Sequence, residues 1–138
     1  MDCRPIESYQ HNRPHTGIPD DLSVQQGFVR YAPCGYMELG EAVTLVCCAL
    51  VYCREQHQRH LLVDGTQLYG FGPPSIGDRY RMALQFARIA GTEVVAAMVV
   101  RPELIHPEQI VVHVAAKEGF TCGAFTEESA AREWLLRQ

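Results

Sequence analysis

The chain has 138 residues, with 12 Lys and Arg against 16 Asp and Glu, giving a formal net charge of −4. That length suits one domain, and 47% hydrophobic with 20% charged residues is the make-up of a chain that buries its own core. A nucleic-acid binder needs a basic face to neutralise phosphates. The Arg79-Tyr80-Arg81 cluster is too short to be one and reads as a solvated helix face, so no nucleic-acid partner is expected.

Residues 1–23 are polar and irregular, broken by Pro5, Pro14 and Pro19, and read as a loose arm with one short edge strand near residues 6–9. The domain proper is placed at 24–138. The start, Met1-Asp2-Cys3-Arg4-Pro5, lacks the apolar stretch of a signal peptide. The six cysteines are therefore read as reduced thiols and the location as cytoplasmic. The longest apolar run, residues 45–53, falls short of the roughly 18–20 residues that cross a bilayer, so no membrane span is expected.

Residues 25–32 alternate around Phe28 and Tyr31 as a strand does, and Pro33-Cys34-Gly35 breaks the pattern. Over residues 38–58, Ala42, Leu45, Val46, Ala49, Leu50 and Cys53 recur at three- and four-residue steps, which predicts the longest helix. Leu61-Leu62-Val63-Asp64 predicts a buried parallel strand whose acidic end emerges at its carboxyl edge. A glycine- and proline-rich loop over 65–74 follows. Ser75 then reads as the N-cap of a helix through Tyr80, Ala83, Leu84 and Ala87, which Gly91 ends. Residues 94–100 predict another central strand, stopped by Arg101-Pro102. Pro107 suits the first turn of a helix running through Ile110, Val111, Val114 and Ala115 to Gly119. Residues 120–125 predict a last strand, and a final helix starts at Thr126 or Glu127 and carries Ala130, Trp134 and Leu135. Alternating strands and helices predict an α/β fold: a mostly parallel sheet of four to five strands with about four helices.

Three segments, in this order, carry a family likeness. The first is Leu61-Leu62-Val63-Asp64 followed by Gly70-Phe71-Gly72-Pro73-Pro74-Ser75 and Arg79-Tyr80. The second is Val99-Val100-Arg101-Pro102-Glu103-Leu104-Ile105 leading into Pro107-Glu108. The third is Phe125-Thr126-Glu127-Glu128 with Ala130, Ala131 and Trp134-Leu135. Over roughly residues 25–137 the chain resembles the SpoIIAA-like branch of the STAS (anti-sigma-factor antagonist-like) superfamily of bacterial regulatory domains. The resemblance implies a small α/β sandwich without intrinsic catalysis, relatives that act as regulatory partners of anti-sigma factors, and a fold akin to lipid-binding CRAL-TRIO domains. One departure stands out. Where regulated members carry a phosphorylatable serine in Asp-Ser-Ser-Gly, this chain has Gly72-Pro73-Pro74-Ser75. The phosphoswitch does not carry over, and Ser75 reads as a cap.

In an open parallel sheet, ligands lie outside the carboxyl ends of the strands. That rule gathers Asp64, Phe71, Ser75, Arg79 and Arg101 into a candidate crevice. The competing reading has Asp64 bonding loop amides and Arg101 paired with an acid such as Glu103. The 70–77 loop lacks the lysine of a nucleotide loop, and Pro73 and Pro74 offer no N–H to phosphate. Cys53, His57 and His60 lack a fourth metal ligand, and Cys122 with His113 has no group ordering it for nucleophilic chemistry, so neither a metal, a cofactor nor catalysis is expected. The outer side of the first helix carries Val43, Cys47, Cys48, Val51 and Tyr52, an apolar surface that calls for a cover by the N-terminal arm or a second copy, and a homodimer through this helix is the expectation.

These features lead to a non-catalytic STAS-like module working through a protein partner the sequence does not name. The alternatives are a carrier or sensor of a small apolar or lipid-like ligand, and an enzyme with an unrecognised site. A carrier requires an apolar cavity between sheet and helices, an interaction module a filled core with an exposed apolar face, and an enzyme converging titratable groups.

Overall fold

The computed structural model describes residues 21–138. Strands β1 (Leu22–Gln25), β2 (Phe28–Tyr31), β4 (His60–Asp64), β6 (Val95–Val99) and β7 (Cys122–Phe125) form one sheet in the order β1-β2-β4-β6-β7. Only the β1–β2 pairing is antiparallel. The two-residue strands β3 (Gly35–Tyr36) and β5 (Leu68–Tyr69) pair with each other in a second, small parallel sheet. Helices α1 (Leu39–Glu55), α2 (Ile76–Ala90), α3 (Ile110–Lys117) and α4 (Glu128–Leu135) complete the α/β fold. Among the described residues no helix is long and apolar enough to cross a membrane.

Side chains in a strand alternate between faces, and here each face has its own cover. Val29, Tyr31, Leu61, Val63, Ala96 and Cys122 pack beneath α1 and α2, with α3 joining through Ala115. Phe28, Leu62, Val95, Ala97 and Val99 point the other way, against Ala131 and Leu135 of α4. This two-sided burial is why β4 and β6 read as continuous apolar runs.

Local chemistry sets the helix ends. The Glu38 N–H donates to Glu41 Oε1 at 3.0 Å before α1, and Ser75 Oγ accepts the Asp78 N–H at 3.0 Å before α2, the cap expected of it. The expected strand over 25–32 is a hairpin instead, turning at Gln26-Gly27 and extending back to Leu22. The 23/24 boundary therefore falls inside β1. The edge strand expected near residues 6–9 lies outside the described residues.

Two further expectations need correction. The 65–74 segment is not all loop, since β5 lies within it. Its approach to β3 is close: Gly70 has φ 108°, and a Cβ there would lie 2.5 Å from the Met37 carbonyl oxygen. Pro107 is not in α3, which begins at Ile110 after Gln109 turns through a left-handed conformation (φ 47°). A short 3-10 turn, Pro102–Leu104, precedes it.

A cluster of charges fastens α4 to the sheet. Arg30 on β2 donates to Glu128 through Nε (2.7 Å) and Nη2 (2.8 Å), and Nη2 also reaches Asp64 Oδ2 at 3.2 Å. Arg132 adds a bond to Glu128 at 3.2 Å. The hydrogen bonds from Arg30 hold the Glu128 carboxyl below the usual carboxylate range, and the same bonds raise Arg30. A depressed carboxylate stabilises the fold fully above its unfolded value, near 4.3, and loses that contribution as pH falls through the lower folded value. Glu128→Gln should therefore destabilise the protein by about 1–2 kcal/mol at neutral pH, since the pair is bidentate but partly solvated. Denaturant titrations across pH should show the difference constant above roughly pH 5.5 and shrinking below about pH 4.

Candidate functional site

The carboxyl ends of β4, β6 and β7 do not meet the helix layer tightly. Val63, Met98 and Ala124 are direct cross-strand neighbours, and this row forms the floor of a cavity of about 150 Å³. Leu39, Ala42, Val43 and Val46 of α1 form one wall, Met82 and Phe86 of α2 another, and the 104–112 segment leading into α3 a third. Leu68, Phe71 and Pro74 close the loop side, and the cavity is partly open to solvent. Its lining is almost wholly apolar. Arg79, His106 and Gln109 are the polar or charged residues among those that line it. An apolar cavity of about this size is large enough for a single aromatic ring.

α3 packs against α2 and the core, and its first turn borders the cavity. Ile110, Val111, Val112 and Val114 are all apolar, yet Ala115 is the buried residue of the helix. Arg79 fixes the rim. It is 6% exposed, and its Nε donates to the Pro74 carbonyl at 3.1 Å while Nη1 donates to the Leu104 carbonyl at 3.0 Å. One guanidinium thus ties the loop before α2 to the turn after β6.

Of the five residues expected to line a crevice, Phe71 and Arg79 do. Asp64 does not, because strand alternation puts it on the α4 face. There Oδ2 pairs with Arg30 and Oδ1 accepts the Thr66 N–H (3.0 Å) and hydroxyl (2.6 Å). Ser75 is spent on its cap. Arg101 is absent from the lining; it pairs with Glu103 at 3.2 Å, donates to the Leu68 carbonyl at 3.1 Å and lies over the Tyr69 ring at 5.1 Å. Its role is to hold β5 against the main sheet, and the competing reading of Asp64 and Arg101 describes their contacts. Residues 104–112, Met82 and Met98 were missed. The available signal was a short helix whose Ile110, Val111, Val112 and Val114 are more apolar side chains than one helix face holds.

The surface expected on α1 also divides. Val43 and Cys47 are buried in the core, Val43 on the cavity wall, while Cys48 and Val51 are exposed and Tyr52 is half-buried. α1 buries a wider stripe than its periodicity indicates because it packs on both the sheet and α2.

Three buried thiols, Cys47, Cys53 and Cys122, are chemically quiet. Burial pushes Cys53 and Cys122 up to about 12, and burial with the neighbouring Cys48 pushes Cys47 up to about 11. A thiol held protonated in this way is a poor nucleophile. His113 is exposed, and Cys122 is buried beneath the helices. Among the described residues no three His, Cys, Asp or Glu side chains gather as metal ligands would; Cys53 is in the core and His57 exposed. In a Cys3→Ser background, a thiol reagent should label Cys48 quickly in the native protein and Cys34, Cys47, Cys53 and Cys122 only on unfolding. Mass mapping of the labelled peptides reads this directly, and fast labelling of Cys122 would contradict it.

No family model, curated protein or solved structure matches the chain.

Proposed function

We propose that the chain is a non-catalytic, STAS-like binding module whose ligand is a small apolar or lipid-like molecule held in the cavity between the sheet and α1, α2 and α3. The observation that carries this reading is the cavity itself, about 150 Å³ with an almost wholly apolar lining at the carboxyl edge of the sheet. Ligands in open α/β sheets favour that edge, and apolar enclosures with a few polar groups are the common form of small-molecule sites. The motif resemblance, with its likeness to lipid-binding CRAL-TRIO domains, points the same way. The raised thiol of Cys122, the cysteine on the cavity wall, fits binding better than nucleophilic chemistry.

The protein-interaction reading draws on less. With Val43 and Cys47 in the core, pairing of two copies through α1 would rest on Cys48, Val51 and Tyr52.

Octanol is a suitable uncharged probe. Methyl NMR of Met82 and Met98, which both line the cavity, should show saturable shifts with a dissociation constant in roughly the micromolar to millimolar range. Ala124→Phe places a ring on the cavity floor and should weaken octanol at least about tenfold, at a stability change of about 1–3 kcal/mol or less. Shifts that do not saturate, or that persist unchanged in the variant, would reject the cavity as the site.

A further inference from the structure

Arg79 is an unusual wall for an apolar cavity. It is 6% exposed, and among the described residues no carboxylate pairs with it. Its two bonds go to backbone carbonyls through Nε and Nη1, and Nη2 has no acceptor among the described residues. Nη2 is nevertheless not sealed: among the described residues, the one fully buried side-chain nitrogen or oxygen without a partner is Arg101 Nε. Nη2 therefore keeps some exposure, and Arg79 is one of the residues that line the cavity. A cation taken out of water without a counter-charge is costly, and an anion brought to it recovers part of that cost.

We infer that the cavity takes a small amphiphile with a carboxylate head, its apolar body over the Val63-Met98-Ala124 floor and its head on the free N–H groups of Arg79. This rests on the cavity being the binding site and adds the class of ligand. The guanidinium fork suits the two oxygens of a carboxylate. A single cation matches a single negative charge, whereas a phosphate monoester carries about −1.5 to −2 and would leave charge uncompensated in a poorly solvated place. His106 is a second polar residue of the wall. Its Nδ1 accepts the Glu108 N–H at 3.0 Å, which leaves the ring proton of the neutral form on Nε2.

The test is a series of eight-carbon ligands titrated against the wild-type chain at neutral pH and read by the Met82 and Met98 methyl signals. Octanoate should bind at least about tenfold tighter than octanol, and octylamine more weakly than octanol. Arg79→Gln should bring octanoate down to the level of octanol while octanol binding persists, and Arg79→Lys should keep part of the preference. Because Arg79 also clamps two loops, the wild-type series decides the question even where Arg79→Gln loosens the fold. Octanoate binding no better than octanol would overturn the carboxylate inference and leave the cavity standing. Octyl phosphate binding tighter than octanoate would overturn the choice of head group. Binding of none of the four would remove both the cavity reading and the inference built on it.

Discussion

The period-two alternation of β4 and β6 governs the molecule. Both strands are covered on both faces, so each successive side chain is committed to one of two cores. Leu61, Val63, Ala96 and Met98 belong with α1, α2 and α3; Leu62, Ala97 and Val99 belong with α4. A shift of one residue in either strand would exchange these sets, which is why register in a doubly covered sheet is strongly specified. The same alternation decides the chemistry at the strand ends. Asp64 follows Val63, so it faces α4 and joins Arg30 and Glu128 in a charged fastening. The edge above the other face is left to Val63, Met98 and Ala124, an apolar floor with no acid in it.

The cavity above that floor follows from how its roof is held. α2 is capped by Ser75 and anchored by Ala83, Phe86, Ala87 and Ala90. α3 is short and buries Ala115. Arg79 fixes the distance between the loop before α2 and the turn after β6 through two carbonyl bonds. Arg101 does comparable work on the neighbouring loop through Leu68, Glu103 and Tyr69. The two arginines hold these loops in place, and apolar side chains of the 104–112 segment line the space beside them. A buried cation with bonding capacity to spare then gives that space a polarity at one end.

Much of the fold was legible in the sequence because the long elements carry strong periodic signals. α1, α2, β4, β6 and α4 lie where the apolar spacing, Ser75 and Gly91 put them, within one to three residues. The misses have physical causes. Strands β3 and β5 are two residues long, too short for alternation to register, and their pairing joins segments more than 30 residues apart, which no local pattern reveals. The start of α3 was drawn to Pro107, a good first-turn residue, but the left-handed Gln109 delays the helix to Ile110. At the candidate site, position along the chain was readable and facing was not. Phe71 and Arg79 reach the cavity, whereas Asp64, Ser75 and Arg101 sit near it in sequence and spend their polar groups elsewhere. Assigning them needed the register of β4 and the path of the 65–75 segment, both set by long-range packing.

An accessible apolar cavity lies between the sheet and α1, α2 and α3 in the folded protein. Xenon tests this without presuming a ligand, since apolar cavities of about 150 Å³ bind it and well-packed cores do not. Under xenon pressure, the account predicts saturable methyl shifts at Met82, Met98 and Val111, lost in Ala124→Phe. Small, non-saturating shifts spread evenly over the protein would show that the space is filled in solution and would contradict it.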